Sequence, residues 1–213
     1  MIIGLAGFAG SGKGTVGEVL TDKFSFKQFA FADVLKDTVS TMFGWPRPLL
    51  EGDTNESREF REKVDSFWSA RLGEEITPRI ILQRMGTEIV RSNINDNFWV
   101  HALAKRIEGI KDVVITDVRF PNEVQYIRES GGFIVRVMRG NDPVWFKTAY
   151  DHNMNSKYEM YQKYPNVHVS EWAWIGTSFD YVINNDGSKV QLEAISKHML
   201  DIFRGPVMIQ KSA

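Results

Sequence analysis

"IIGLAGFAGSGKGTV", residues Ile2 to Val16, joins an apolar run directly to a stretch holding Gly7, Gly10, Gly12, Gly14 and Lys13. The run Ile2 to Ala6 reads as a strand buried on both faces. A linker behind it would need glycine but would have no use for the lysine, whereas a loop wrapped around a phosphate needs both. In such a loop glycines let successive backbone N–H groups turn inward. The helix that follows directs its positive end at the anion, and a lysine reaches the outer phosphates. Gly7, Gly12 and Lys13 fit the spacing G-x-x-x-x-G-K in the required context of strand before and helix after. Ala9, Gly10, Ser11, Gly14 and Thr15 fall in the same turn and are candidate phosphate neighbours, with the Ser11 and Thr15 hydroxyls able to reach phosphate oxygens. A glycine-rich turn with an incidental lysine is the bland alternative.

Outward from this loop, strand and helix signals alternate, which favours an α/β fold with a mostly parallel sheet. Strands are expected over Ile2 to Ala6, Phe26 to Phe31, Val113 to Thr116, Phe133 to Met138 and Tyr181 to Asn184. Helices are expected over Gly14 to Lys23, Ala32 to Phe43, Arg79 to Arg91 behind the Thr77-Pro78 start, Asn97 to Glu108, Asn122 to Ser130 and Lys189 to Phe203. One domain over residues 1–213 is the default for this length. Two stretches exceed a minimal sheet-and-helix sandwich: 45–73, with a helix expected through "ESREFREKVDSFWSARLG", and 140–179, long, polar and aromatic. Segments of that length in a compact domain are functional lids or disordered stretches, and the tryptophans and tyrosines of the second argue against plain disorder.

Lysine and arginine number 26 against 27 acidic residues, so no broad basic face is expected and with it no direct nucleic-acid or membrane partner. Cysteine is absent, which excludes disulfides, thiolate nucleophiles and cysteine-ligated zinc. The apolar runs fall short of a membrane span, and the amino terminus lacks a basic region followed by a hydrophobic core. The expectation is a soluble cytoplasmic protein.

The third strand ends in Asp117, a hydrophobic run closed by an acid. Beside a phosphate loop that carboxylate can orient a magnesium-bound water; capping the next helix is its bland alternative. Arg119 next to it can meet an anion or stay at the surface, and Asn122 and Glu123 can meet a polar ligand. The residue after Lys13 is Gly14 where a Ser or Thr is usual, with Thr15 one place later. This "GKGT" ending is similar to that of the nucleoside monophosphate kinases, adenylate kinase included, and the resemblance implies a magnesium held largely through water and phosphate, with Thr15 a candidate neighbour.

The chain as a whole resembles the deoxynucleoside monophosphate kinases of tailed bacteriophages, a branch of the P-loop kinases. The carrying segments beyond the loop are "FAFADVLKD" (Phe29 to Asp37), "LQRMGTEIVRSNINDNFWV" (Leu82 to Val100), "VVITDVRFPNEV" (Val113 to Val124), "GGFIVRVMRG" (Gly131 to Gly140), "VHVSE" (Val167 to Glu171) and "DYVINNDGS" (Asp180 to Ser188). They cover a little over half of the chain, in family order. Residues 45–73 and 141–166 carry no family motif.

The resemblance implies a three-layer α/β/α fold with a five-stranded parallel sheet in the order 2-3-1-4-5 and helical and lid insertions. It implies ATP as donor with Mg2+, and a deoxynucleoside monophosphate held between the core and a mobile lid. Lys13 and Arg139 are then the first choices for catalytic cations, Arg139 standing where the lid begins; a salt bridge is the alternative for Arg139. Asp33 and Lys36, on the first turn of the second helix, would meet the monophosphate. Arg84, Thr87, Glu88 and Arg91, at spacings of three and four, would share the face of a helix near the acceptor, unless that face simply meets water. Gln83 and Trp99 are candidates for base contact, core packing being the alternative for Trp99. His168 and Glu171 would sit at the far edge of the lid, and Asn184, Asn185 and Gly187 in the loop bordering adenine, where a plain turn is equally open. Base preference is not legible, a homodimer is compatible with the family, and a phage-encoded chain would work in the host cytoplasm. Two other readings stay open: a dephospho-coenzyme A kinase-like enzyme, which would lack the "LQRMGTE" helix, and a non-catalytic nucleotide-binding module.

Overall fold

The computed structural model describes residues 1–155 and 158–205. In chain order the elements are β1 (Ile2–Ala6), α1 (Lys13–Phe24), β2 (Lys27–Phe29), α2 (Asp33–Phe43), a 3-10 turn (Arg47–Leu50), α3 (Asn55–Glu62), α4 (Ser66–Leu72), α5 (Pro78–Gln83), a π-helical segment (Arg84–Arg91) and α6 (Phe98–Ile107). There follow β3 (Val113–Val118), α7 (Pro121–Glu129), β4 (Phe133–Met138), α8 (Phe146–Asn155), α9 (Glu159–Lys163), a 3-10 turn (Val169–Glu171), β5 (Tyr181–Asn184) and α10 (Lys189–Arg204). None of the described helices is long and apolar enough to cross a membrane. The chain divides into two compact units, Ala30–Glu108 and the remainder.

The larger unit carries the sheet, in the order β2-β3-β1-β4-β5 with every neighbouring pair parallel, as the resemblance implied. Its three central strands, β1, β3 and β4, are largely buried on both faces, which is why they read as continuous apolar runs rather than alternating ones, whereas the edge strands β2 and β5 keep exposed side chains such as Lys27, Gln28 and Val182. On one face Ile3, Leu5, Val135 and Val137 pack with Val16, Val19 and Leu20 of α1 and Leu192, Met199 and Leu200 of α10. On the other face α7 comes so close that a Cβ on Gly4 would collide with Ile127 and Val118. This makes three layers and places the glycine loop at the carboxyl end of the central strand, where open parallel sheets bind ligands.

Several boundaries differ from expectation. β2 is only Lys27–Phe29: Phe26 before it packs in the core at 2% exposure, and Phe31 beyond it lies in the smaller unit, at 3% exposure. β3 runs on to Val118, so Asp117 lies within the strand instead of closing it. The segment 140–179 contains helices packed within its own unit: Trp172, Trp174, Ala149 and Met160 are buried, and the Asn153 amide donates to the carbonyls of Trp172 (3.0 Å) and Ile175 (2.7 Å).

In the smaller unit the helix expected through Glu56 to Gly73 is two helices. Asp65 leaves the helical conformation, accepts the Trp68 N–H at 3.0 Å as cap of α4, and takes the Trp45 indole N–H at 2.7 Å with its second oxygen. An aspartate gains more from those two donors than from a helix interior. The helix expected over Arg79 to Arg91 also changes character, passing from α5 into the π-helical segment. The wider i→i+5 turn frees carbonyls from the α ladder, and the Gly86 carbonyl accepts the Trp99 indole N–H at 2.8 Å in a buried contact. Trp99→Phe keeps an aromatic ring but leaves that carbonyl unpaired, and is expected to cost about 1–3 kcal/mol of stability. Chemical denaturation measures it; an unchanged midpoint would mean that the carbonyl finds another donor.

Candidate active site

The glycine loop is shaped by contacts that admit no side chain. Gly7 has φ +152° and its missing Cβ would run into the Val137 carbonyl; Gly12 has φ +91° and would strike the Asn185 amide. Gly12 also stands at the cap position of α1 without a side chain to satisfy the first-turn N–H groups. Those donors and the helix dipole are available to an anion. The Ser11 hydroxyl is buried with no protein hydrogen-bond partner, an arrangement that suits a ligand oxygen. A buried orphan hydroxyl, uncapped helical donors and a lysine within one turn fit the phosphates of a nucleotide.

Lys13 lies along the inside of this loop, its Nζ donating to the carbonyls of Gly7 (2.8 Å) and Phe8 (2.9 Å). Burial, and secondarily the nearby Arg119 charge, lower its pKa to about 8, against the opposing pull of Glu171 and Asp117. Lys13, Asp117, Arg119 and Glu171, predicted separately from three segments of the chain, therefore share one electrostatic neighbourhood. Arg119 donates to Glu171 Oε1 at 2.7 Å and to the Ser170 carbonyl at 3.3 Å. Burial works against its charge, but Glu171, helped by Asp117 and Glu123, holds its pKa above the usual guanidinium value.

Other candidates in this unit have structural employment. Glu123 is 2% exposed and accepts the N–H groups of Arg119 (2.7 Å) and Phe120 (3.1 Å), so it caps α7 rather than facing a ligand. Asn122 is partly buried in the same first turn. His168 caps the 3-10 turn before Glu171, accepting from the Ser170 N–H at 3.3 Å with the Ser170 hydroxyl 2.8 Å away. Arg139 is exposed and has no ion-pair partner among the described residues. It lines a cavity of about 320 Å³ together with Phe8, Ser11, Asp142, Trp145 and Glu171. Asn184 and Gly187 are exposed, and between them Asn185 reaches the loop, its Nδ2 donating to the Ser11 carbonyl at 3.1 Å. Thr15 is partly buried beside Gly12.

An aromatic cluster and a committed arginine near the loop escaped motif reading. The Phe8 ring packs against Trp145 (5.3 Å between centroids), Phe146 (6.1 Å) and Trp174 (5.0 Å). Arg136 pairs with Asp142 and lies over Phe146 and Trp174 at 4.9 and 5.6 Å. The richness of 140–179 in aromatics was the available signal, but nothing local points it at Phe8.

The Ala30–Glu108 unit holds the acceptor-side candidates. Asp33 accepts the Ala30 N–H at 2.8 Å and lies 3.3 Å from Arg47, while Lys36 pairs with Glu51 at 2.5 Å. Arg47 also pairs with Glu51 and Asp37, and Asp37 with Arg106 at 2.7 Å, making one continuous network. Partial burial works against the Glu51 charge, yet Lys36 and Arg47 hold its carboxyl below the usual range. In the π turn Arg84 pairs with Glu74 at 2.5 Å and has the Glu88 charge nearby, Glu88 is exposed, and Arg91 is instead buried, donating to the Asp96 carbonyl at 2.8 Å. Gln83 and Thr87 are partly buried, and Trp99 is core packing at 5% exposure.

Among the described residues no three His, Asp or Glu side chains cluster as ligands for a metal. A magnesium ion at this loop would depend on phosphate oxygens and water, with Asp117 and Thr15 as the nearby polar groups.

Residues 50–196 match the family model described as deoxynucleotide monophosphate kinase, a span that does not include the glycine loop. A putative deoxynucleotide monophosphate kinase of Acanthamoeba polyphaga mimivirus is 33% identical over 152 residues, covering 65% of this chain and 74% of the relative. The deoxynucleoside-5'-monophosphate kinase of Escherichia phage T5 is 46% identical over 57 residues, 26% of this chain and 23% of its own. Among solved structures, a dephospho-CoA kinase from Campylobacter jejuni aligns over 96% of this chain and 98% of its own with a TM-score of 0.45 and 13% identity. Shikimate kinase from Aquifex aeolicus aligns over 94% and 96% with a TM-score of 0.42 and 17% identity.

Proposed function

The chain belongs to the deoxynucleotide monophosphate kinase family, and on that premise we propose how its residues divide the work of phosphoryl transfer. It phosphorylates deoxynucleoside monophosphates, with ATP as phosphoryl donor. This membership decides against a dephospho-coenzyme A kinase-like enzyme and against a non-catalytic module.

The donor phosphates lie in the glycine loop, held by backbone N–H groups from Gly10 to Thr15, by the Ser11 hydroxyl and by the uncapped start of α1. Lys13 exchanges the Gly7 and Phe8 carbonyls for phosphate oxygens, and Arg139 adds a second cation from the end of β4. As the bond from the γ-phosphorus to the β–γ bridging oxygen breaks, an oxygen of the acceptor monophosphate bonds to that phosphorus. The products are ADP and the deoxynucleoside diphosphate. The acceptor phosphate is ionised at neutral pH, so no general base is required. Catalysis then consists of positioning and of cations placed where negative charge spreads. Magnesium, when bound, would supply charge neutralisation at the phosphates, and Asp117 and Thr15 are the residues that would hold it through water. In the Ala30–Glu108 unit the Asp33–Lys36–Arg47–Glu51 network is the acceptor-side candidate, since its cations are already fixed by carboxylates that a phosphate can replace.

The observation that carries the donor assignment is the convergence of Lys13, Asp117, Arg119 and the orphan Ser11 hydroxyl at the start of α1. Magnesium-dependent ADP release is the test, with each common deoxynucleoside 5′-monophosphate and its ribose counterpart as acceptor. Release that depends on a deoxynucleotide acceptor is expected. Release indifferent to every acceptor would overturn the reading.

A further inference from the structure

We propose that Asn185 and Asp186, the dipeptide following β5, are positioning residues that hold the glycine loop and Arg139 in register with each other. The proposal rests on the roles given above to the loop and to Arg139. β5 does not neighbour β1, since β4 lies between them. A side chain from the end of β5 must therefore cross the end of β4 to reach the loop, and it crosses where Arg139 leaves the sheet.

Three peptide units are fixed by the two residues. The Asn185 Nδ2 donates to the Ser11 carbonyl at 3.1 Å. The Asn185 backbone N–H donates to the Met138 carbonyl at 2.7 Å, and Asp186 Oδ1 accepts the Gly140 N–H at 2.8 Å. In a trans peptide the C=O and the following N–H point in opposite directions. Anchoring the Ser11 carbonyl therefore aims the Gly12 N–H away from Asn185, and that N–H is one of the donors assigned to phosphate. The Met138 and Gly140 contacts hold the peptide units on both sides of Arg139, fixing the root of a side chain that has no ion pair of its own among the described residues. The contact with the loop is tight as well as polar, because a Cβ on Gly12 would strike the Asn185 amide. Asn184, on the opposite face of the strand end, is exposed and makes no comparable link.

The test uses the full chain and two readouts, ATP affinity by calorimetry and acceptor-dependent kcat. Asn185→Asp preserves shape but removes the donor and sets a carboxylate against a carbonyl. Its ATP affinity is expected to fall about 10-fold or more, with an unchanged far-ultraviolet spectrum. Asp186→Ala is expected to lower kcat about 10-fold in the unaltered background but less than about 2-fold when Arg139 is already alanine, the non-additivity expected of residues that act as one. Asp186→Asn, which keeps the acceptor oxygen, should recover most of the loss. Unchanged ATP affinity in Asn185→Asp, or an equal Asp186→Ala loss in both backgrounds, would overturn the proposal. A chain that binds ATP but transfers to no acceptor would instead sink the kinase reading, and the Asn185 measurement would still decide the positioning role of the loop contact.

Discussion

Lys13→Ala is expected to reduce kcat by about 10²–10³-fold, the usual cost of removing one donor aimed at developing charge, without lowering the melting temperature. The two halves of that expectation have one cause. Lys13 is a desolvated cation whose Nζ is held only by the Gly7 and Phe8 carbonyls, and burial is the main reason for its pKa of about 8. The folded chain therefore gives up this proton near pH 8, while the unfolded chain keeps it to the ordinary lysine value of 10.5. Between those values the unfolded state binds more protons, so the contribution of Lys13 makes stability rise with pH across this window and leaves it flat on either side. Activity should show the opposite sign. In the free enzyme a neutral amine no longer attracts the donor, so kcat/KM for ATP falls as pH climbs past about 8. At saturating ATP the bound phosphates favour the ammonium form, and the same limb in kcat moves to higher pH. Rate profiles over pH 6–10 measure both. A kcat/KM profile that stays level to pH 10, or that keeps the same limb in Lys13→Ala, would assign the titration to another group.

The glycine loop and the strands were legible because their signals are local: a fixed spacing of glycines behind an apolar run, and short β-branched segments. What the sequence concealed depends on partners distant along the chain. Arg139 was legible as a cation from its place after the fourth strand, but whether it was free or in a salt bridge was not: it is exposed without an ion pair among the described residues, while Arg136, three residues earlier, is committed to Asp142 and two aromatic rings. Only tertiary contacts decide between those two states. The break at Asp65 had a local sign, a capping residue three places before the Trp68 N–H that it accepts, but it was overruled by a continuous helical pattern. The π turn had none, since spacings of three and four describe an α-helix and the widening is coupled to a tryptophan thirteen residues away.

Trp174→Ala is expected to be the most destabilising single change at the site, costing about 3–5 kcal/mol as a buried aromatic truncated to alanine. At roughly 2–4 °C per kcal/mol for a chain of this size, the melting temperature should fall by roughly 6–20 °C. The cost arises from several contacts at once. The ring is 2% exposed, lies 5.0 Å from Phe8 and 6.1 Å from Phe179 between centroids, and has the Arg136 guanidinium over it at 5.6 Å. Its indole N–H donates to the Glu171 carbonyl at 3.0 Å. That last bond connects stability to function. Glu171 is the counterion of Arg119, and both act on the charge of Lys13. A loosened 140–179 segment should therefore weaken ATP binding as well as melt earlier, with proteolytic cleavage appearing inside the segment before the sheet unfolds. Trp174→Phe separates the two contributions, because it keeps most of the packing while releasing the Glu171 carbonyl. It should cost about 1–3 kcal/mol and should still shift ATP affinity in the same direction. Thermal melting and calorimetry on both variants make the comparison. If Trp174→Ala melts early but binds ATP as tightly as the unaltered chain, the aromatic cluster serves the fold alone, and the Phe8 contact does not transmit the state of the insertion to the phosphate loop.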